Sequence, residues 1–364
     1  MGFRGKHSTN HQLVRTAETL ITAWNSRQSA FMVTLDVEAA FDRVPHQRLL
    51  YKLHYFKFPP WFISLMSAYF SNRSFMVRVG HSISADHPVA AGTPQGSILS
   101  PFLFNIYIAD MPSPHPNHGI ISQYADDTCY ITEAQDPATA EDYMQQTLVR
   151  LERWCSTWKT KINGSKSTVM YLDPKLHNFS RQFNRPFHID IMIDREKIPA
   201  VEETKYLGVI FDRKLKWDKH TSYVLRRAKQ RTGMLHAMHL PPQRLSTATR
   251  KVLYLSLIRP IITYGVPTWL GAAVSHKNPL YQYERTWIRK IYKIPWYTKT
   301  ENVELTADFP LLKSFMLTLA TNFYVNTRNH INPYISSIGN YRRQAECKDR
   351  PSRCNKFYPL QITV

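Results

Sequence analysis

Short segments along the chain alternate between apolar and polar residues, which predicts strands, and apolar residues recur every three or four positions between them, which predicts amphipathic helices. Residues 31–36 alternate in this way and predict a strand that ends near Asp36. Apolar runs on both sides of Asp126 and Asp127 predict a tight β-hairpin with the two carboxylates at its tip. The pattern therefore places acids at the ends of two strands that are far apart in the sequence.

The remaining pattern divides the chain near Trp217, with helices and strands mixed before it and helices alone after it. Asp136 followed by Pro137 predicts the start of a long helix, and Ser246 predicts the start of another that Pro260 ends. Further helices are predicted over 11–24, 45–54, from 60, 97–110 and 280–294. Strands are predicted over 75–79, 168–172 and 206–211, the last of them broken at 208. A boundary is predicted at 163–164, a variable loop over 173–200, and loose packing over the last thirty or so residues.

The composition of the chain indicates its class and the kind of partner that it binds. The chain has 364 residues, 43% of them hydrophobic, which indicates a globular protein with a sizeable core. No apolar run approaches the roughly 18 residues of a membrane span, so no membrane association is expected. Lysine and arginine number 47 against 27 acids, for a formal charge of +20, which favours a polyanionic partner.

The paired acids of the hairpin indicate a cation site. Adjacent carboxylates repel each other, and Mg²⁺ offsets such repulsion because it takes hard oxygen ligands and shares them with phosphates. With Asp36 on a neighbouring strand, three carboxylates would hold two divalent ions about 4 Å apart, an arrangement suited to in-line nucleotidyl transfer. A solvated acidic turn is the alternative for the Asp126 and Asp127 pair taken alone.

Several segments resemble a known family. Residues 35–42, 92–97 and 124–127 resemble reverse transcriptase motifs A, B and C in order and spacing. Residues 2–13 resemble the preceding fingers motif, and the later matches are 151–167 (motif D) and 206–208 (motif E, the primer grip). The chain is most similar to the reverse transcriptases of non-long-terminal-repeat retrotransposons, especially jockey-like elements of arthropods. The resemblance covers residues 1 to about 215 and extends more loosely to 259–265.

The resemblance implies roles for the acids. Asp36 and Asp126 ligate both metal ions, with the Val37 carbonyl as a backbone ligand, and Asp127 completes the acidic cluster. The implied catalytic cofactor is a pair of Mg²⁺ ions, with Mn²⁺ as a substitute.

Other residues of these motifs are implied to contact the incoming nucleotide. Phe41 lies under the sugar and excludes a 2′-hydroxyl, whereas an ordinary core aromatic is the alternative. Gln95 and Gly96 lie along the nucleotide and the template base, since glycine permits close backbone approach. Lys166 protonates the pyrophosphate leaving group, with a solvated surface lysine as the alternative.

Basic residues are expected to hold nucleic acid. Arg4 and Lys6 are implied to contact phosphates in the fingers. A basic helix after Trp217 is expected to track the template–primer duplex, with a solvated helical face as the alternative. Its candidate residues are Lys219, Arg226, Arg227 and Arg231.

The sequence therefore predicts an α+β right-hand polymerase with an antiparallel palm sheet. The expected parts are a partial fingers and palm (1–215), a helical thumb (216–300) and a basic extension (301–364), truncated at the amino end. The expected function is RNA-directed DNA synthesis in retrotransposition, with an RNA template, a DNA primer or target and deoxynucleoside triphosphates as partners, in a ribonucleoprotein of cytoplasm and nucleus. Protein partners are not predicted. The alternatives are a catalytically inactive nucleic-acid-binding remnant and a maturase-type intron reverse transcriptase.

Overall fold

A computed structural model describes residues 2, 4–94, 96–174, 189–237 and 245–339. The chain divides into two compact units. The sheet unit comprises Met1–Gln12 and Arg27–Glu202, and the helical unit comprises Leu13–Ser26 and Glu203–Val364. The three-part division into fingers with palm, thumb and extension stays a prediction.

The elements up to residue 202 include ten strands. The helices are α1 (Thr9–Asn25), α2 (His46–Tyr55), α3 (Pro60–Phe70), α4 (Leu99–Tyr107) and α5 (Pro137–Trp158). The strands are β1 (Ser29–Val37), β2 (Ser74–Phe75), β3 (Arg78–Val79), β4 (Ser82–Ile83), β5 (His87–Pro88), β6 (Gly119–Tyr124), β7 (Asp127–Ala134), β8 (Ile162–Leu172), β9 (Met192–Ile193) and β10 (Glu196–Lys197).

Four of these strands form an antiparallel sheet in the order β6-β7-β1-β8. Phe31, Val33 and Leu35 of β1 join the core formed with α4 and α5. Met32, on the opposite face of β1, is also fully buried, so the strand is covered on both sides although its sequence alternates. The predicted α+β class with an antiparallel sheet is confirmed.

The long helix α5 begins as its sequence predicts, at Asp136 and Pro137. The Asp136 carboxylate accepts a hydrogen bond from the Thr139 amide (3.0 Å), and Pro137 occupies the first turn, where it costs no hydrogen bond. The helix ends at Lys159, which adopts a left-handed conformation (φ +60°). Its buried stripe, which packs on the sheet unit's core, includes Met144, Leu148 and Leu151.

Three predictions for the sheet unit need correction. The strand expected over 75–79 is split between β2 and β3, which pair with β5 and β4. All of these short strands are exposed, so no buried face specifies one long strand. Asn163 does not end an element, because β8 passes through it with a bulge. The loop expected over 173–200 contains the β9–β10 hairpin, and residues 175–188 lie outside the described parts.

The helical unit contains a hairpin and a series of helices. Its elements are β11 (Glu203–Tyr206), β12 (Val209–Asp212), α6 (Asp218–Ala237), α7 (Thr247–Leu253), a π-helix (Tyr254–Ile258), α8 (Arg259–Thr263), α9 (Val266–Trp269), α10 (Val274–Tyr292), α11 (Thr300–Leu305), α12 (Leu312–Arg328) and α13 (Pro333–Ser336).

Two predictions for the helical unit are also wrong in detail. The single strand expected over 206–211 is instead part of a hairpin. Leu207 and Gly208 both have positive φ (+44° and +81°) and reverse the chain between β11 and β12. Ser246 starts α7 as predicted, accepting a hydrogen bond from the Thr249 amide at 3.1 Å. Pro260 does not end that helix, since the chain continues through the π-helix and the proline falls in the first turn of α8.

The predicted helix over 280–294 begins earlier, at the start of α10, and includes Pro279. Within the described residues, no helix combines the length and the apolar character needed to cross a bilayer. The carboxyl-terminal segment expected to be loosely packed falls largely in 340–364, outside the described residues.

Candidate active site

The acids of the two strand ends lie at the same end of the four-stranded sheet. Leu35 of β1 pairs with Thr128 of β7 as the last pair of this antiparallel ladder, and Asp36 and Asp127 are the residues that follow this pair at the same end. Asp36, Asp127 and the neighbouring Asp126 are exposed. Asp36 and the Asp126–Asp127 pair lie some ninety positions apart in the sequence. They are thus presented to solvent from β1 and from the neighbouring hairpin of β6 and β7.

The turn of the acidic hairpin is held by packing from the amino-terminal segment. Ala125 and Asp126 form this two-residue turn, and Ala125 is buried with φ at +56°, a region that a non-glycine residue seldom occupies. A Cβ added to Gly2 would lie only 2.7 Å from the Ala125 amide nitrogen, so Gly2 packs directly on the turn. The Asn105 side-chain amide donates to the Gly2 carbonyl (2.9 Å) and fixes that segment. The sequence offered no signal for this contact beyond a glycine in the fingers motif.

A bulge in β8 holds the backbone of Asp36. Between the pairs that Thr34 and Asp36 make with β8, the bulge inserts residues 164–167. The Asp36 amide donates to Ser167 Oγ (3.2 Å), and this hydroxyl donates to the Asn163 carbonyl (2.7 Å). The Lys166 amide donates to the Asn163 side-chain oxygen (3.1 Å), and the Lys166 side chain is exposed. The bulge therefore replaces lost ladder hydrogen bonds and sets Lys166 beside the strand that carries Asp36.

The segments resembling motifs A and B are joined by backbone contacts. The Thr93 amide donates to the Phe41 carbonyl (2.9 Å), and the Gly92 amide donates to the Val44 carbonyl (2.8 Å). Gly92 has φ at +99°, and a Cβ there would meet the Asp42 carbonyl oxygen at 2.9 Å. Only glycine fits this position without displacing the backbone, so Gly92 ties the two segments together.

The residues expected to contact the nucleotide differ in how they are placed. The half-buried Phe41 ring stacks on Phe104 with centroids 4.3 Å apart, a contact that suits a core aromatic and leaves part of the ring exposed. Gly96 also has a positive φ (+83°), but no atom lies within 4 Å of a Cβ built there. Gln95 lies outside the described residues. In the amino-terminal segment, Arg4 and Lys6 are exposed.

A small cavity adjoins the acidic turn and bears on whether this end of the sheet fits a metal ion. Asp126, Val37 and Phe104 help to line it. Carboxylate and carbonyl oxygens are the donors that hard divalent cations prefer, so the predicted ligand set fits such an ion chemically. In the parts of the chain that the structure describes, no three histidine, cysteine or acidic side chains are arranged to hold a metal ion.

A lysine is enclosed in the sheet unit, a feature that the sequence did not reveal. The Lys52 side chain is fully buried, with its ammonium 3.9 Å from the Trp158 ring centroid and 4.7 Å from that of Trp154. The ammonium donates to the Asp110 carboxylate and to the Tyr107 carbonyl. Burial lowers the pKa of Lys52 to about 8. Trp154 and Trp158 thus pack in the core and also enclose a cation.

Four exposed basic residues of α6 form what we call its basic face. The helix also carries buried residues, among them His220, Val224 and Ala228. Burial lowers the pKa of His220 to about 4, so this histidine is neutral and adds no charge. No ion pair involves the basic face within the described residues, and its members are Lys219, Arg226, Arg227 and Arg231.

Comparison with known proteins gives these features a family context. The family model of reverse transcriptase (RNA-dependent DNA polymerase) matches residues 1–211. The chain is 29% identical over 345 residues to the RNA-directed DNA polymerase from mobile element jockey of Drosophila melanogaster, covering 93% of this chain and 36% of that protein. It is also 29% identical over 366 residues to the probable RNA-directed DNA polymerase from transposon X-element of the same species, covering 99% and 38%.

The chain thus spans little more than a third of the length of these relatives. Among solved structures, apo telomerase from Candida tropicalis is similar with a TM-score of 0.39 and 10% identity, covering 90% of this chain and 58% of that one. Telomerase from Candida albicans, in complex with a fragment of telomeric RNA, has a TM-score of 0.39 and 11% identity, covering 89% and 53%.

Proposed function

Because the chain belongs to the reverse transcriptase (RNA-dependent DNA polymerase) family, we propose that it is an RNA-directed DNA polymerase of a non-long-terminal-repeat retrotransposon. The reaction is transfer of a deoxynucleotide to a primer 3′-hydroxyl with release of pyrophosphate. One observation carries the proposal: Asp36 and the Asp126–Asp127 hairpin lie at the same sheet end on adjacent antiparallel strands.

Divalent metal use is general in this family, and we propose a pair of Mg²⁺ ions here. Asp36, Asp126 and Asp127 would hold them, with the Val37 carbonyl as a further ligand. When bound, such ions lower the pKa of the attacking hydroxyl and neutralise charge on the triphosphate. The protein's own part is positional, because the β8 bulge and the packing of Gly2 fix the strand end and the turn before substrate arrives.

We propose roles for the remaining motif residues on the basis of the family resemblance. The exposed part of Phe41 would lie against the sugar of the incoming nucleotide, and the stacking of the ring on Phe104 would fix its position. The open space over Gly96 admits close approach of a nucleotide, a role shared with Gln95. Lys166, exposed in the bulge beside Asp36, would donate a proton to the leaving pyrophosphate.

We further propose that the exposed basic face of α6 binds the duplex of RNA template and DNA primer. Contacts to phosphates are independent of sequence, and the +20 charge of the whole chain supports them. Arg4 and Lys6 would add contacts near the amino end. A protein bound to RNA in this way is proposed to act as a ribonucleoprotein in the cytoplasm and nucleus.

A primer-extension assay tests the polymerase proposal. The purified chain with Mg²⁺ is expected to extend a DNA primer on an RNA template, and Asp126→Ala is expected to lower the rate at least about a thousandfold, since metal stabilisation contributes several kcal/mol. Asp142→Ala removes an exposed acid of α5 and serves as the matched control, with an unchanged rate.

Thermal unfolding of the Asp126→Ala variant should match that of the original chain, because Asp126 is exposed. Extension that persists in this variant would remove Asp126 from the reaction. Binding of an RNA–DNA hybrid without any incorporation by the unmodified chain would favour the inactive nucleic-acid-binding protein instead.

A further inference from the structure

The loop between α10 and α11 presents two aromatic rings to solvent. Trp296 is 85% exposed and Tyr297 is 74% exposed, and their rings meet edge to face with centroids 5.9 Å apart. Three other tryptophans of the helical unit are almost completely buried: Trp217, Trp269 and Trp287. Since exposing large apolar rings costs free energy, two adjacent exposed rings in a folded loop indicate a binding role.

The loop holds these rings in a defined turn. The Thr298 amide donates to the Pro295 carbonyl (3.2 Å), which closes a β-turn with Trp296 and Tyr297 at its two central positions. The Arg289 guanidinium donates to the Thr298 carbonyl (3.2 Å) and anchors the turn to α10. A ligand that stacks on the rings would therefore meet a prearranged surface and lose little loop entropy on binding.

The charge around the turn is positive. Lys293 and Lys299 flank it and are exposed, and no acid occurs between residues 286 and 300. The nearest acid beyond the loop is Glu301, in the first turn of α11. Two further acids of this part of the unit are already neutralised, Glu304 by Arg285 (2.7 Å) and Asp308 by Lys251 (2.7 Å). The surface therefore combines stacking rings with cations, the pairing that unpaired nucleotides require.

We propose that the turn over residues 295–298 binds single-stranded nucleic acid, with bases stacked on Trp296 and Tyr297 and phosphates near Lys293 and Lys299. A duplex cannot use the rings in this way, because its bases are already stacked on one another. The proposal goes beyond the polymerase reaction and does not require it, since binding needs neither the carboxylates nor a nucleotide substrate.

The test compares a labelled single-stranded oligouridylate with a blunt RNA–DNA duplex of equal length by fluorescence anisotropy. The Trp296→Ala/Tyr297→Ala variant is expected to bind the single strand at least about fivefold more weakly and the duplex as before. Its dependence on salt should be unchanged, because no phosphate contact is lost. Trp61→Ala, which removes a 67% exposed tryptophan of the sheet unit, is the matched control and should bind both ligands normally.

Two companion variants separate stacking from charge. Lys293→Gln/Lys299→Gln should lower the salt slope for the single strand by roughly 0.7 per lost phosphate contact. Trp296→Phe/Tyr297→Phe keeps two rings and should restore most of the affinity. The same measurements in an Asp126→Ala background, without Mg²⁺ or nucleotides, keep the result separate from polymerase activity.

Unchanged single-strand affinity in the Trp296→Ala/Tyr297→Ala variant would overturn the proposal and point to a protein partner for the rings. Equal weakening for the single strand and the duplex would also overturn it, because the rings would then not be contacting unpaired bases. Thermal unfolding of each variant verifies that the helical unit stays folded, as expected for side chains this exposed.

Discussion

At the acidic sheet end a few charged groups are held by a dense backbone framework, whereas along α6 several cations are exposed without ion pairs in the described residues. The Asp36 amide is bonded to the β8 bulge, and Gly2 packs on the acidic turn. On α6 the packing is made by buried residues such as Val224 and Ala228, and the basic side chains are exposed. The two regions therefore carry charge under very different constraints.

The acidic sheet end and the α6 surface should therefore tolerate different substitutions. Charges that must converge on reacting atoms depend on backbone placement, so one substitution removes the function. Charges that attract a polyanion act additively over a surface, so each contributes part of the affinity and several must be removed together. The effects of substitutions in the backbone framework and of substitutions on the α6 surface should therefore differ both in the property that changes and in magnitude.

The largest effect on nucleic-acid binding is expected when the charges of the α6 surface are removed together. Neutralising four of the five lysine and arginine residues of α6 should weaken binding of an RNA–DNA duplex roughly a thousandfold at low salt, from roughly 1 kcal/mol for each lost phosphate contact. The slope of log affinity against log salt should also fall, by about one for each contact. The variant carries Lys219→Gln, Arg226→Gln, Arg227→Gln and Arg231→Gln.

The control for this variant is Lys251→Gln, because the Lys251 ammonium is already paired with Asp308 (2.7 Å). It should leave both the affinity and the slope nearly unchanged. If the quadruple variant binds the duplex as tightly as the original chain, the face is only solvated and the duplex binds elsewhere.

The framework is tested next by two glycines of the segment that resembles motif B. Gly92→Ala should lower the free energy of unfolding by about 3 kcal/mol, since the added Cβ meets the Asp42 carbonyl and φ is also unfavourable. Gly96→Ala has the same φ penalty but open space, so a loss of about 1 kcal/mol is expected. Urea denaturation measures both, and equal losses would show that crowding at Gly92 is unimportant.

The same two glycines show what the sequence could and could not predict. The sequence placed Asp36 and Asp126 at strand ends, because short-range patterns fix strands, turns and helix starts. It did not predict that Gly92 closes on Asp42, that Gly2 packs on Ala125, or that β8 continues through a bulge. These contacts join residues far apart in the chain, and single-sequence periodicity carries no information about them.

The enclosed lysine and the split strand over 75–79 were missed for a related reason. Lys52 lies on an amphipathic helix where a lysine normally faces water, and only the folded arrangement encloses it beneath two tryptophans. The strands β2 and β3 are exposed, so no buried face distinguishes one strand from two. The roles proposed for Phe41, Gln95 and Lys166 stay predictions from the family resemblance.

The third prediction concerns the turn that precedes α6, where hydrogen bonds to one buried carboxylate hold the backbone. The buried Asp212 carboxylate accepts hydrogen bonds from three backbone amides in the turn before the helix. Asp212→Ala should lower the free energy of unfolding by about 2 kcal/mol, because those amides lose a charged acceptor. Asp218→Ala, in the first turn of α6, should cost about 0.5 kcal/mol. Similar losses for the two variants would contradict this account of the turn.

The smallest effect concerns the enclosed cation of the sheet unit and is visible only as a function of pH. Burial lowers the pKa of Lys52 from 10.5 to about 8, so between these values the unfolded chain binds more protons than the folded one. Stability therefore rises with pH across this window, and the contribution of Lys52 should increase by about 1 to 2 kcal/mol between about pH 8 and pH 10.

Lys52→Met isolates this contribution, because methionine fills a similar volume and does not titrate. The difference in unfolding free energy between the original chain and this variant should shift in favour of the original chain as the pH rises. The cations of α6 are exposed, not buried, so their quadruple variant should show no comparable shift. A difference that stays constant with pH would mean that Asp110 and the aromatic rings compensate fully for the burial of Lys52.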